Sequence, residues 1–209
     1  MTSRLHEQRL FAVQAAIRDS GARSIIDLGC GDGDLIVRLL YEPQITHITG
    51  IDLSHAALQH LRLRLGSAAP DTRRPPVQLL QGSMTDLAAT LEGFDCAVML
   101  ETLEHIEPRQ LSVLEHCLFV SLRPLTVVMT TPNADYNALL GLAPYQFRHP
   151  GHRFEWGRQK FRHWVQGIAG RHGYACHCTD LGDYDPDYGG ASQMAVFNRA
   201  GSEDNKIQA

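Results

Sequence analysis

The alternation of short apolar runs with amphipathic stretches restricts the fold of this chain more than any other feature. Leu5 to Asp19 sets Leu10, Val13 and Ile17 at the spacing of one helix face, and Ser20-Gly21 closes the stretch. Ser24 to Leu28 then reads as a strand that runs straight into Asp27-Leu28-Gly29-Cys30-Gly31-Asp32-Gly33. Leu35, Ile36, Leu39 and Leu40 mark a second helix, and Ile45 to Ile51 a second strand ending at Asp52. The pattern continues with a helix over Ser54 to Leu65, a strand over Val77 to Gln81 and a short helix over Met84 to Leu91. A strand over Phe94 to Leu100, a helix over Pro108 to Val120 and a strand over Val127 to Thr131 follow. Further strands are expected at Cys176 to Leu181 and Gln193 to Asn198, with a helix over Arg158 to His172. Such alternation implies right-handed crossovers and an α/β fold with a mainly parallel sheet and helices on both faces. Ligands of such sheets bind outside the carboxyl ends of the strands, and the unusual residues fall there.

Composition excludes several classes of function. With 209 residues, 44% of them hydrophobic and 20% charged, the chain is expected to form one domain over residues 1–198 and a frayed polar tail over 199–209. Arg73-Arg74-Pro75-Pro76 reads as a loop within that domain. A formal charge of −4 argues against coating nucleic acid through charge alone, because such binding rests on cationic side chains neutralising phosphates. A local basic groove stays open. Five scattered cysteines with no CxxC pair suggest neither a disulfide framework nor a zinc ribbon, and they fit a reducing cytoplasm. No signal-peptide core or apolar run of membrane-spanning length is present, so no membrane association is expected.

The glycine turn after the first strand can bring backbone close to a ligand, although alone it is weak evidence. Asp52, at the end of the second strand, adds a carboxylate able to take both ribose hydroxyls of an adenosine. Neither GxGxxG nor GxxxxGK[ST] occurs, which lowers the dinucleotide and P-loop readings. Asp27, Gly29 and Gly31 with Asp52 instead resemble the cofactor motif of class I S-adenosylmethionine-dependent methyltransferases, which implies a Rossmann-like fold. Ser83 and Met84, after the third strand, match the place where that superfamily holds the adenine.

The fourth strand is followed by Glu101-Thr102-Leu103-Glu104-His105-Ile106-Glu107. If a helix starts here, Glu101, Glu104 and His105 share one face of its first turn, at i, i+3 and i+4. Acidic residues also favour a helix N-terminus, so a capped helix start is one reading. The other is part of a site for a divalent ion such as Mg²⁺, Mn²⁺, Fe²⁺ or Zn²⁺, which two carboxylates and an imidazole suit. Such a site wants a further ligand, and His149 and His152 are the candidates in the loop after the fifth strand.

ETLEHIE, TTPNADYN, HPGHRFEW and the closing QMAVF together resemble the catalytic domain of small-RNA 3′-terminal 2′-O-methyltransferases, over about residues 5–198. The bacterial branch, which acts in RNA repair beside a polynucleotide kinase-phosphatase, fits best. The resemblance implies that Glu101, Glu104, His105 and His152 bind a metal, Mg²⁺ or Mn²⁺, and that S-adenosylmethionine is the methyl donor. The acceptor it implies is an RNA 3′ end with a free 2′,3′-diol, and a kinase-phosphatase or ligase is the implied partner. Gly151 departs from the acidic residue that commonly precedes the histidine, and Gly157 from the threonine that commonly follows FEW. His149 is the candidate to take the hydroxyl proton, or else packs or contacts phosphate.

For RNA, Arg148, Arg153, Arg158, Lys160, Arg162 and Arg171 gather around His152 in sequence, with Phe154 and Trp156 available for stacking. The competing reading makes the arginines a solvated helix face and Trp156 core. A small-molecule O-methyltransferase of the ubiquinone-biosynthesis type shares ExxEH, and a non-catalytic RNA-end-binding module is the rival outside enzymes.

Overall fold

The computed structural model describes residues 3–66, 74–87 and 91–201. Arg73, part of the helix expected over Met84 to Leu91, and most of the expected tail lie outside the described residues. Helix α1 (Arg4–Ser20) starts at Ser3, whose hydroxyl accepts from the His6 N–H, and stops at Gly21 in the left-handed conformation that only glycine adopts at no steric cost. The strands are β1 (Ser24–Leu28), β2 (His47–Asp52), β3 (Val77–Gln81), β4 (Cys96–Leu100), β5 (Thr126–Pro132), β6 (Tyr174–Asp185) and β7 (Gly189–Arg199). They form one sheet in the order β3-β2-β1-β4-β5-β7-β6. β3 through β5 run parallel, and β7 is antiparallel to both β5 and β6.

Chain order reverses between β1 and β4, and a crevice opens outside the carboxyl ends of strands at such a reversal. The glycine turn leaves β1 and Glu101 leaves β4, so the two sequence motifs flank that crevice.

Side chains alternate between sheet faces, and both faces are covered. Ile25, Ile48, Cys96, Val98 and Val128 pack with α1, α2 (Asp34–Leu39) and α3 (His55–Gly66). Ile26, Leu28, Ala97, Met99, Val127 and Met129 pack on the other face with Leu114 of α4 (Leu111–His116), and with Phe161, Val165 and Ile168 of α5 (Arg158–His172). Burial on both faces explains why these strands read as continuous apolar runs.

Four local expectations change. No α-helix starts at Glu101; its φ of 53° is left-handed, and only a single 3₁₀ turn, Leu103–His105, follows. Pro108 disfavours helical backbone before it, Glu107 is extended (ψ 130°), and after a second 3₁₀ turn α4 begins at Leu111. Residues 84–86 form a turn and bend instead of the start of a helix. β6 and β7 outrun their apolar segments because hairpin hydrogen bonds carry the pairing into polar residues, across an irregularity between Leu181 and Tyr184. Among the described residues no helix is long and apolar enough to cross a membrane.

Candidate active site

At the β1 end the backbone does most of the work. Gly29 and Cys30 N–H groups both donate to the Ile51 carbonyl, at 2.8 and 3.0 Å, which folds the turn back over β2. Gly29 has φ 81°, and a Cβ there would lie 2.4 Å from Thr102 Cγ2, so two requirements demand glycine. Gly33 likewise lies where a Cβ would meet Leu61 at 2.2 Å, which lets α3 close against the turn. Asp52 Oδ2 accepts from Gly31 N–H at 2.8 Å and Oδ1 from Ser54 N–H at 2.7 Å, which fixes the carboxylate while leaving lone pairs for a ligand. Asp27 is buried below the turn, and burial together with the nearby Asp52 charge pushes its carboxyl up to about 7. Ser83 closes its own turn through Thr85, while Met84 packs towards Gly29.

A cleft of about 340 Å³ runs from this end, past Gly29, Asp52, Ser83 and Met84, to Glu101 and His105. One cavity therefore joins members of the two groups of residues that the sequence singled out, while Asp27, Gly31, Glu104, His149 and His152 lie outside its lining.

The β4 end is assembled from distant segments. The Glu101 N–H donates to Thr130 Oγ1 at 3.0 Å, which helps hold a left-handed backbone of a kind that costs about 1–3 kcal/mol. Its carboxylate meets Arg9 of α1 at 2.8 Å through one oxygen, while the buried Oε1 has no hydrogen-bond partner. Glu104 is 1% exposed; Thr131 Oγ1 donates to its Oε2 at 2.9 Å, and Oε1 lies 3.9 Å from His152 Nε2. Burial first, and the Glu101 charge second, push the Glu104 carboxyl well above the ordinary range. One nitrogen from each of His105, His149 and His152 lies within 4.8 Å of the other two.

Hydrogen bonds sort these histidines. His105 Nδ1 donates to the Gly151 carbonyl at 3.0 Å, and His152 Nδ1 to Glu155 Oε1 at 2.5 Å, so each ring leaves an Nε2 lone pair free. A metal-binding histidine commonly has its other nitrogen anchored in this way. His149 is wired in the opposite sense. Its Nδ1 accepts from the Gly151 N–H at 3.0 Å, so the proton of its neutral ring sits on Nε2.

The donor set fits a divalent cation. Three carboxylates, Glu101, Glu104 and Glu155, face two guanidiniums, Arg9 and Arg148, and one buried carboxylate oxygen is unpartnered. A cation there would offset charge that the protein leaves unbalanced. The departures at Gly151 and Gly157 also have local reasons. A Cβ at 151 would crowd His149 and His105 at 3.0 and 3.1 Å, and one at 157 would meet Asp135 Oδ1 at 2.1 Å.

The expected RNA residues are arranged differently. Phe154 and Trp156 are buried and stacked on each other at 4.4 Å, so they belong to the core. Lys160 lies over the Trp156 ring. Arg148 is a half-buried clamp that donates to Asn137 Oδ1, the Ala191 carbonyl and the Asn133 carbonyl. Arg153 pairs with Glu107, Arg158 with Asp135, Arg162 with Asp180 and Arg171 with Glu115. Arg9, Thr131 and Glu155 were missed by sequence reasoning. The His-x-x-Glu spacing of His152 and Glu155 could have signalled the last, whereas nothing local ties Arg9 to Glu101.

Comparison with known proteins gives a consistent picture. Residues 25–124 match the family described as a methyltransferase domain. The small RNA 2′-O-methyltransferase of Xenopus tropicalis is 32% identical over 203 residues, covering 93% of this chain and 55% of the relative. The chain thus spans about half the length of the curated relatives it matches. The crystal structure of the methyltransferase domain of bacterial CtHen1 superposes with a TM-score of 0.83 at 35% identity, covering 93% of this chain and 99% of that one. A chain of the Pnkp1/Rnl/Hen1 RNA repair complex shares the fold, with a TM-score of 0.69 at 21% identity and coverage of 95% and 42%.

Proposed function

The chain belongs to the Hen1 family of class I S-adenosylmethionine-dependent methyltransferases, and on that premise we propose that it methylates the 2′-hydroxyl of the 3′-terminal nucleotide of RNA. The reaction uses a divalent ion, Mg²⁺ or Mn²⁺, and serves the repair or protection of RNA ends in the cytoplasm. The observation that carries this reading is the cleft that joins Asp52 to Glu101 and His105, with Glu104 and His152 alongside.

In this reading Asp52 accepts hydrogen bonds from the cofactor ribose, the Gly29 backbone lets the cofactor approach, Gly31 braces Asp52, and Ser83 and Met84 bound the adenine. Glu101, Glu104, His105 and His152 would hold the ion, which would supply the Lewis acidity that lowers the cost of deprotonating a ribose hydroxyl. Arg9 and Thr131 position the carboxylates; Gly151 and Glu155 keep the two Nε2 lone pairs available. His149 presents an Nε2–H donor to phosphate or ribose, and it takes a proton only at Nδ1, on releasing the Gly151 N–H. Alignment of acceptor oxygen and methyl group is the contribution of the fold. A terminal nucleotide with both hydroxyls free offers two vicinal oxygens, which accounts for end selectivity without base readout. A kinase-phosphatase and ligase assembly, of the kind that the Pnkp1/Rnl/Hen1 complex represents, is the proposed partner.

Methyl transfer to an RNA with a free 2′,3′-diol, compared with the same RNA ending in a 2′-deoxy or 3′-phosphate nucleotide, tests the proposal. Transfer to the diol end alone is expected. Equal transfer to all three, or transfer only to a small phenolic acceptor, would overturn it.

A further inference from the structure

We propose that the loop over residues 139–147 is a stacking platform for the unpaired bases next to the RNA 3′ end, an inference that rests on the RNA-methyltransferase reading above. Leu139, Leu140, Tyr145 and Phe147 are all exposed there, Tyr145 to 89%. Tyr145 occupies the third position of a turn closed by Gln146 N–H donating to the Ala143 carbonyl at 2.9 Å, and Pro144 fixes φ at the second position. The turn therefore holds the ring outward at little entropic cost.

The loop is tied to the site at its base. Arg148 Nε donates to Asn137 Oδ1 at 2.6 Å, Asn137 Nδ2 donates to Glu155 Oε2 at 2.6 Å, and Arg148 N–H donates to Glu155 Oε1 at 2.7 Å. Glu155 also orients His152, so one carboxylate sets the histidine and the platform in a common frame. His149 lies four positions after Tyr145, which puts their Cα atoms within about 14 Å even for extended chain.

The occupant follows from the groups that surround the site. The chain carries a formal charge of −4, the arginines near His152 are engaged within the protein, and Phe154 and Trp156 are buried. The exposed aromatic faces beside the site, Tyr145 and Phe147, are then suited to stacking single-stranded RNA, because such faces bind every base and impose little sequence preference.

The test uses the full chain and a short unpaired RNA ending in 2-aminopurine with a free diol. Binding is read by anisotropy, and stacking by quenching of the 2-aminopurine. Replacing both Tyr145→Ala and Phe147→Ala is expected to weaken binding roughly tenfold or more, relieve the quenching, and leave the slope of log affinity against log salt unchanged. Cofactor affinity should stay the same, and Tyr145→Trp should bind like the parent. Affinity within twofold of the parent, or a change only in self-association by sedimentation, overturns the platform. If the parent binds and methylates while the double variant binds equally well, the platform alone fails. Failure of the parent to methylate while it still binds RNA overturns only the methyltransferase reading. A parent that binds no RNA overturns both.

Discussion

At the β1 end of the cleft, the N–H groups of Gly29, Cys30 and Gly31 donate to Ile51 and Asp52 on the neighbouring strand. At the β4 end, Glu101 is held in a left-handed conformation, one of its oxygens is unpartnered, and Glu104 is buried beside a like charge. The first end is satisfied before any ligand arrives. The second keeps an unpartnered carboxylate oxygen within the protein, and its folding cost is met by packing elsewhere, since Phe161 and Phe197 are fully buried and removing such a ring costs about 3–5 kcal/mol. Backbone strain thus concentrates at the β4 end, where the proposed chemistry would take place.

The sharpest way to break this contrast is to neutralise Glu104. If the carboxylate exists to serve a cation, Glu104→Gln should raise the melting temperature in chelator, because a buried charge disappears. Turnover should drop by more than the roughly 10–100-fold that follows loss of a group that only orients a metal ligand. Glu155→Gln, which removes such an orienting group from His152, should fall within that smaller range. Melting temperature, metal content and single-turnover rate on both variants decide the matter. A Glu104→Gln protein that melts earlier in chelator and still methylates RNA would make the carboxylate structural.

How much of this was legible in the sequence follows from the same contrast. The glycine turn and Asp52 were readable because backbone geometry at a strand end is encoded within a few residues. The apolar runs of β1, β4 and β5 were readable because each is buried on both faces. Glu101, Glu104 and His105 were readable as a group, but not as a helix face, since Thr130 and Pro108 set the backbone there. Arg9 and Thr131 act across long separations that no local pattern records, whereas Glu155 lies three residues from His152, a spacing that could have signalled it. The arginines around His152 misled because sequence proximity says nothing about partners, and Asp135, Asp180, Glu107 and Glu115 take them up.

The β1 end has one costly element of its own, Asp27, whose folded carboxyl is raised to about 7 from an ordinary value near 3.9. A raised carboxyl contributes stability that is complete below about pH 4 and is lost as pH climbs through about 7, because the folded state retains the proton longer. The shift of about three units corresponds to roughly 4 kcal/mol as an upper bound, since one unit is 1.36 kcal/mol. Asp27→Asn should flatten the stability profile between pH 4 and 7 and leave the variant more stable than the parent at pH 8. Denaturant melts across that range test the sign. Parallel profiles for the two proteins would mean that Asp27 titrates normally.

The smallest effect, and the one that separates ligand recognition from support of the turn, is at Asp52. Its carboxylate already accepts from Gly31 and Ser54 N–H groups, so Asp52→Ala both loosens the turn and removes an acceptor for ribose hydroxyls. Losing hydrogen bonds to a charged group should weaken S-adenosylmethionine binding by about 1–3 kcal/mol. A purely supporting role predicts a loss of the same size. The two are told apart by calorimetry with the cofactor and with an analogue lacking both ribose hydroxyls. If Asp52 takes those hydroxyls directly, the parent prefers the natural cofactor and Asp52→Ala loses the preference, binding both ligands with similar affinity. If Asp52 only braces Gly31, the variant binds both more weakly and keeps the parent's preference. The turn would then be self-sufficient, and ribose recognition would belong to another group along the cleft.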